Sequence, residues 1–350
     1  MILVAGAGAT GAGIAYRLAE RGAGDVVLCD RGMIASGSTS RAMGGVRQHF
    51  STAEEVRLAQ ESIAFFAELG PPFFHQVGEL FVATTEDGLA TLEERRELQA
   101  GLGVPVERVD ASFVAGLETQ DVLGAVFCAQ DGVADPPAVA QELVRRAVEL
   151  GVEVREHTLA ESLLDEADTL VIACGPWSAE LGRLAGVELP IRPLCRQLLA
   201  TQALFSPPPM LPMIVEAETG FQFRRRGDRL VLAMSDPEPR WTFEPTVDES
   251  VFDDRLSRLA HRFPPAARLR IADAWAGLYD MTPDAHPILG RVGDGVYAAC
   301  GFSGHGFMQG PAVAQAIAEE ILDGSSILDL SPYRLDRFDE GHTLAETVIL

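Results

Sequence analysis

The chain opens on an unbroken apolar run, Ile2-Leu3-Val4-Ala5, whose length and composition predict a strand buried on both faces. After Gly6-Ala7-Gly8-Ala9-Thr10-Gly11 the apolar spacing turns helical through Ile14 and Leu18 and stops at Gly22. Val26-Val27-Leu28-Cys29 is a second short strand. Helical spacing predicts further helices from residue 52 to Gly70, where Pro71-Pro72 ends the pattern, from Leu89 to Leu98, and from Asp135-Pro136-Pro137 to Gly151. Strands are predicted at Leu80 to Thr84, Ala125 to Phe127, Val152 to Val154 and from Thr169, the last closing on Gly175 before a helix that holds Leu181 and Leu184. Strands alternating with helices in this way specify an α/β fold around a parallel sheet.

Between Ile191 and His261 the texture changes. Strand-like pieces at Cys195 to Thr201, Gly220 to Arg225 and Leu230 to Met234 are joined by Pro207-Pro208-Pro209 and Gly227-Asp228, which predicts a mixed, largely antiparallel sheet. Helical spacing returns with Leu256, Leu259 and Ala260. The expected organisation is a Rossmann-like unit from residues 1–70, 135–190 and 270–350, with a second, discontinuous unit from 71–134 and 191–269. Near the C-terminal end a strand at Gly295 to Ala299 is followed by a helix expected to open at Gly310-Pro311, with proline at its first position. Between them lies Cys300-Gly301-Phe302-Ser303-Gly304-His305-Gly306-Phe307-Met308, glycine-rich backbone that a ligand can approach closely.

Composition narrows the class. The chain has 350 residues, 47% of them apolar, with no run near the roughly 18 apolar residues of a membrane span. Ile2 to Ala5 is too short for a signal-peptide core, so a cytoplasmic location is expected. Cys29, Cys128, Cys174, Cys195 and Cys300 are scattered and never form C-x-x-C, which predicts neither disulfides nor a metal site. The net charge of −23 argues against nucleic acid and anionic membranes as partners. There is no lysine, so lysine Schiff-base chemistry is excluded.

The N-terminal strand, glycine turn and helix carry the first candidate site. Gly6 permits the turn, Gly8 lets a pyrophosphate approach the backbone, and Gly11 lets helix and strand pack closely. Asp30 ends the second strand 19 residues beyond Gly11, where an acid can bind ribose hydroxyls. This fingerprint serves NAD and FAD alike. The stretch Ala35 to Phe50, rich in glycine and hydroxyls and carrying Arg41 and Arg47, reads either as a cofactor loop or as a flexible surface loop.

Taken together, the glycine fingerprint, Gly37-Ser38-Thr39-Ser40-Arg41, Gly44-Gly45-Val46-Arg47, Ala173-Cys174-Gly175-Pro176-Trp177-Ser178, Tyr279-x-x-Thr282-Pro283-Asp284-x-His286-Pro287-Ile288-Leu289-Gly290 and the Cys300 to Met308 loop resemble the D-amino acid oxidase superfamily of FAD enzymes. Within it they are similar to the sarcosine oxidase and proline dehydrogenase β-subunit group. The resemblance implies an FAD-binding domain joined to a substrate domain. Its chemistry is transfer of a hydride equivalent from the carbon next to an amine nitrogen to the flavin, giving an imine. It places Gly6, Gly8, Thr10, Gly11, Asp30, Arg31, Ser38, Arg41, Gly44, Gly45, Leu159, Cys174, Gly175, Trp177, Gly277, Gly304, His305, Gly306, Phe307 and Met308 around the cofactor. By the same resemblance Arg47 binds a substrate carboxylate, Tyr279 shapes the pocket and His305 positions the flavin.

Departures from the group sharpen this expectation. Monomeric sarcosine oxidases carry a lysine where Met308 stands, and covalent-flavin relatives carry a cysteine at the position of Gly277 or a histidine at that of Arg41, so noncovalent FAD is expected. The span Glu161 to Asp168 is shorter than the three-stranded excursion usual in such domains. The implied substrate is a small secondary or N-methyl amino acid, sarcosine- or proline-like, with oxygen or a redox partner as electron acceptor and with homo- or hetero-oligomeric assembly left open. A D-amino acid dehydrogenase or oxidase and a noncatalytic FAD-bearing subunit are the alternatives.

Overall fold

The computed structural model describes residues 1–343 apart from Pro207 and Pro209, so part of the triple-proline link and residues 344–350 lie outside the described residues. The chain begins β1 (Ile2–Ala5), α1 (Ala9–Glu20), β2 (Val26–Cys29), α2 (Ser38–Arg41), β3 (Gly45–Val46) and α3 (Ala53–Leu69). It continues with β4 (Phe74–His75), β5 (Glu79–Ala83), α4 (Glu86–Gly101), β6 (Val106–Val109), β7 (Gly124–Cys128), β8 (Gly132–Ala134) and α5 (Pro136–Glu149). Then come β9 (Glu153–Arg155), β10 (Thr169–Ile172), α6 (Ser178–Leu184), β11 (Arg192–Thr201), β12 (Met213–Glu216), β13 (Gln222–Arg226), β14 (Arg229–Ala233) and β15 (Arg240–Trp241). The last elements are α7 (Phe252–Arg262), β16 (Ile271–Met281), β17 (Ile288–Gly293), β18 (Val296–Cys300), α8 (Gly306–Asp323) and α9 (Arg337–Glu340).

Among the described residues these strands form three sheets. The first has the order β17-β18-β10-β1-β2-β9, parallel except for β17, which runs antiparallel to β18. Its apolar runs are unbroken because both faces are covered. Leu3 and Ala5 face a core completed by Ala179 and Leu181 of α6, while Val4 faces the core formed with α1, α5 and α8. A Cβ on Gly13 of α1 would lie 3.0 Å from that of Ala314 in α8, so these helices from opposite chain ends touch nearly backbone to backbone. A 3-10 turn at Ala160–Glu166 bridges β9 to β10 where the longer excursion is missing.

The second sheet has nine strands in the order β15-β11-β14-β13-β12-β5-β7-β6, with β16 also pairing β11. Every pairing is antiparallel except β12 on β5, where Met213 lies opposite Glu79. β16 thus belongs to this sheet although it lies within the stretch 270–350 grouped with the first unit from sequence. The third sheet, β3-β8-β4, ties the Gly44-Gly45 segment to Gly132–Ala134. No helix among the described residues is long and apolar enough to cross a membrane.

One predicted boundary is corrected. Pro311 does not open α8, which begins at Gly306 with His305 as its N-cap, and Pro311 stands inside it. Proline so near the start forfeits a single intrahelical bond, and the added turn buries Met308 and packs Phe307 on the core.

Candidate active site

The glycines of the first turn are fixed by sterics. Gly6 adopts φ +102°, and a Cβ there would lie 2.3 Å from the Ala173 carbonyl oxygen at the end of β10. A Cβ on Gly11 would lie 1.9 Å from the Gly6 carbonyl oxygen, so α1 can leave the strand at this angle only with glycine at that position. Asp30 holds the same turn, its carboxylate accepting from the Ala7 N–H at 2.8 Å and the Gly32 N–H at 2.7 Å. Thr39 joins it from α2, its hydroxyl accepting from the Ala9 N–H at 3.0 Å.

Next to this turn lies a cavity of about 790 Å³ lined by residues from both chain ends. Of the residues predicted to surround a cofactor, all line it except Gly11, whose place is in the packing behind. The Ala35 to Phe50 stretch forms one wall, so the surface-loop reading of it does not hold. Ser38 donates to the Leu278 carbonyl at 2.7 Å, and the Arg41 carbonyl accepts from Trp275 Nε1 at 3.1 Å. These bonds clamp α2 onto β16, and Gly277 is required there because a Cβ would sit 2.7 Å from that of Arg41. Towards the opening, the Arg31 guanidinium stacks on Trp177, 3.9 Å from the ring centroid. Burial pushes the Cys174 thiol up, and it donates to the Ala5 carbonyl at 3.3 Å.

The C-terminal loop meets the same cavity. Gly301, Ser303 and Gly304 all have positive φ, and a Cβ on Gly304 would lie 2.4 Å from the Tyr279 ring. Asp280 shapes the loop: its carboxylate accepts from the Gly301 N–H at 2.7 Å and its carbonyl from the Ser303 N–H at 3.1 Å, while burial pushes its carboxyl up to about 6. The Thr10 hydroxyl donates to the Gly306 carbonyl at 3.4 Å, so the first turns of α1 and α8 converge on one space. Both helices therefore aim unpaired N–H groups and positive dipole ends at whatever fills it. The Thr282-Pro283-Asp284-x-His286 motif stays outside the lining and acts as a latch. Asp284 pairs with Arg337 through contacts of 2.9 and 3.0 Å, and Thr282 donates to the His286 carbonyl at 2.7 Å.

Arg47 and Tyr279 line one region of the cavity together with His305, whose ring stands edge-on to Phe50 at 5.1 Å. Arg47 is 4% exposed, with its guanidinium 5.2 Å from the centre of the Phe50 ring. Behind it lie two buried carboxyls that sequence reasoning missed, Glu79 and Asp131. Burial drives both well above the usual carboxylate range, and the positive charge of Arg47 opposes the rise. Asp131 accepts from the Gln48 N–H at 3.1 Å and lies 3.4 Å from His49 Nε2, while burial and the Arg47 charge hold His49 neutral, down to about 3. Also missed was Arg196, which lines the cavity from β11 with its guanidinium 5.7 Å from the Tyr279 ring centre. Burial raises the Tyr279 hydroxyl, and the charges of Arg196 and Arg47 both oppose that rise.

A family model described as FAD dependent oxidoreductase (DAO) matches residues 1–320, most of the chain and both walls of the cavity. The chain belongs to the DAO family. Among its relatives is the FAD-dependent oxidoreductase domain-containing protein 1 of Bos taurus, 29% identical over 100% of this chain and 87% of that protein. The glycine oxidase of Geobacillus kaustophilus is 26% identical over 96% of each chain. Among solved structures, the L-proline dehydrogenase from P. horikoshii superposes with a TM-score of 0.89 at 27% identity, covering 98% of both chains.

This DAO enzyme is an FAD-dependent oxidoreductase, and its cavity fits the cofactor on its own evidence. The volume is in the range of sites for sizeable ligands, the lining combines apolar surface with backbone donors, and glycine stands at Gly6 and Gly304, where a side chain could not be placed.

Proposed function

We propose that this enzyme oxidises the C–N bond of a secondary or N-methyl amino acid, sarcosine- or proline-like, to an imine. The observation that carries this reading is the buried guanidinium of Arg47 facing, with Tyr279, the same cavity as the N-terminus of α8. Bound FAD supplies the acceptor for the hydride equivalent. Arg47 holds the planar substrate carboxylate through two parallel N–H bonds and so fixes which C–H faces the acceptor. Tyr279 closes the pocket beside it. The backbone N–H groups of Gly304 to Met308, together with the α8 dipole, stabilise negative charge as it develops at the end of the cofactor they face. His305, wedged against Phe50, positions that loop and exchanges no proton with substrate.

In this reading the first sheet holds the cofactor and the nine-stranded sheet supplies the substrate wall. With Gly277 and Arg41 at the positions that could carry an attachment, FAD is held noncovalently. The names of the glycine oxidase and L-proline dehydrogenase relatives support an amino-acid substrate. Anaerobic addition of sarcosine, L-proline, D-proline and D-alanine to the holoprotein, followed at the flavin band, tests it. Bleaching by the first two supports the assignment, and a flavin that none of them bleaches refutes it.

A further inference from the structure

We propose that Arg196 is a specificity-determining residue that binds a second carboxylate, so that the preferred substrate is a dicarboxylic secondary amino acid. The inference rests on the reading of the cavity as an amino-acid site. Arg196 lies directly opposite Gly277 in the β11–β16 register, on the face that also carries Tyr279 two residues along. Arg196 reaches the cavity from this wall, while the space over Gly277 itself is taken by Arg41.

Arg196 lines the cavity without a counter-ion among the described residues. The chain has 51 acidic residues, and several arginines of this unit are paired, Arg262 with Glu216 and Asp121, Arg240 with Asp236 and Arg255 with Asp254, while the buried Arg224 does not line the cavity. Arg196 has no carboxylate partner among the described residues, and its Nε is buried without a hydrogen bond. A guanidinium with a desolvated donor and no counter-charge is costly to hold, and an anionic ligand removes the cost. Arg47 is placed differently, with Glu79 and Asp131 buried behind it.

The two arginines approach from opposite ends of the wall. The segment carrying Arg47 packs on β12, where a Cβ on Gly45 would lie 2.8 Å from Met213 Sδ. β14 and β13 separate β12 from β11, three strand spacings or about 14 Å. Guanidinium groups reaching inward from positions so far apart suit two carboxylates of one molecule better than two oxygens of one carboxylate.

The test compares anaerobic flavin reduction of the holoenzyme by N-methylalanine and by N-methylaspartate and N-methylglutamate, each as both enantiomers. The wild type is expected to favour the dicarboxylic compounds. Arg196→Met is expected to lower the dicarboxylic to monocarboxylic ratio of kcat/KM by about 10- to 100-fold, the loss of one charged hydrogen-bonding group, and Arg196→Lys to restore part of it. A wild type without preference, or an equal loss on both series in Arg196→Met, overturns the assignment while leaving the proposed function standing. Should Arg196→Met fail to bind flavin, the wild-type preference decides alone. No reduction by any amino acid overturns both.

Discussion

A Cβ placed on Gly6 would lie 2.3 Å from the carbonyl oxygen of Ala173, closer than any side-chain carbon can approach. The turn that faces the cofactor is thus built against the end of β10, with φ at +102°. Gly6→Ala is expected to cost at least about 2 kcal/mol through backbone strain and overlap, and to lower flavin content in the purified protein. Thermal melting and the ratio of visible to 280 nm absorbance measure both effects; an alanine variant that retains full flavin would contradict this account of the turn.

Arg47→Lys keeps the positive charge and discards the planar fork. Loss of kcat/KM for amino acids by about 10- to 100-fold is expected, with flavin content retained, because an ammonium cannot hold both carboxylate oxygens in one plane. Steady-state kinetics beside a flavin spectrum would show it. Arg47→Ala should additionally destabilise the fold, since it removes the charge that opposes the rise of Glu79 and Asp131.

Glu79 gives the fold a pH dependence. Burial pushes its carboxyl, together with that of the neighbouring Asp131, well above the usual carboxylate range, so the folded protein keeps a proton that the unfolded chain releases near 4.5. Its contribution to stability is therefore fully present at low pH and is lost as the pH rises above the ordinary carboxylate range and through the raised one. Glu79→Gln should melt higher than the wild type at pH 8.5, with the difference shrinking towards pH 5. A constant difference across that range would show that Glu79 does not titrate in this way.

The Asp284–Arg337 latch gives a fourth expectation. Both side chains are 3% exposed, so Arg337→Met leaves a buried carboxylate uncompensated, at a cost of about 3–5 kcal/mol. Asp284→Asn added to that variant should recover much of the loss, and chemical denaturation of the single and double variants would measure the coupling.

Much of the cofactor cradle was legible in the sequence because its constraints are local. Glycines at Gly6, Gly8 and Gly11, an acid at Asp30 and unbroken apolar strands each leave a mark within a few residues of one another. The start of α8 was not, because the proline signal at Pro311 competes with packing of Phe307 and Met308 that depends on distant elements. Arg196 and Glu79 left no mark either. Each sits in a strand whose face is decided by pairing with chain far away, β16 for one and β12 with β7 for the other. An acid in an apolar strand and an arginine beside a glutamine look like ordinary surface residues until the register is known.

The meeting of α1 and α8 sets an order of events during synthesis. β1, α1 and β2 emerge first, yet the cavity lacks a wall until β18 and the opening of α8 have left the ribosome. The nascent chain therefore offers no complete flavin site for most of its translation, and a product truncated before Gly304 should emerge colourless. Flavin uptake in the cell would then mark only chains in which α1 and α8 have found each other.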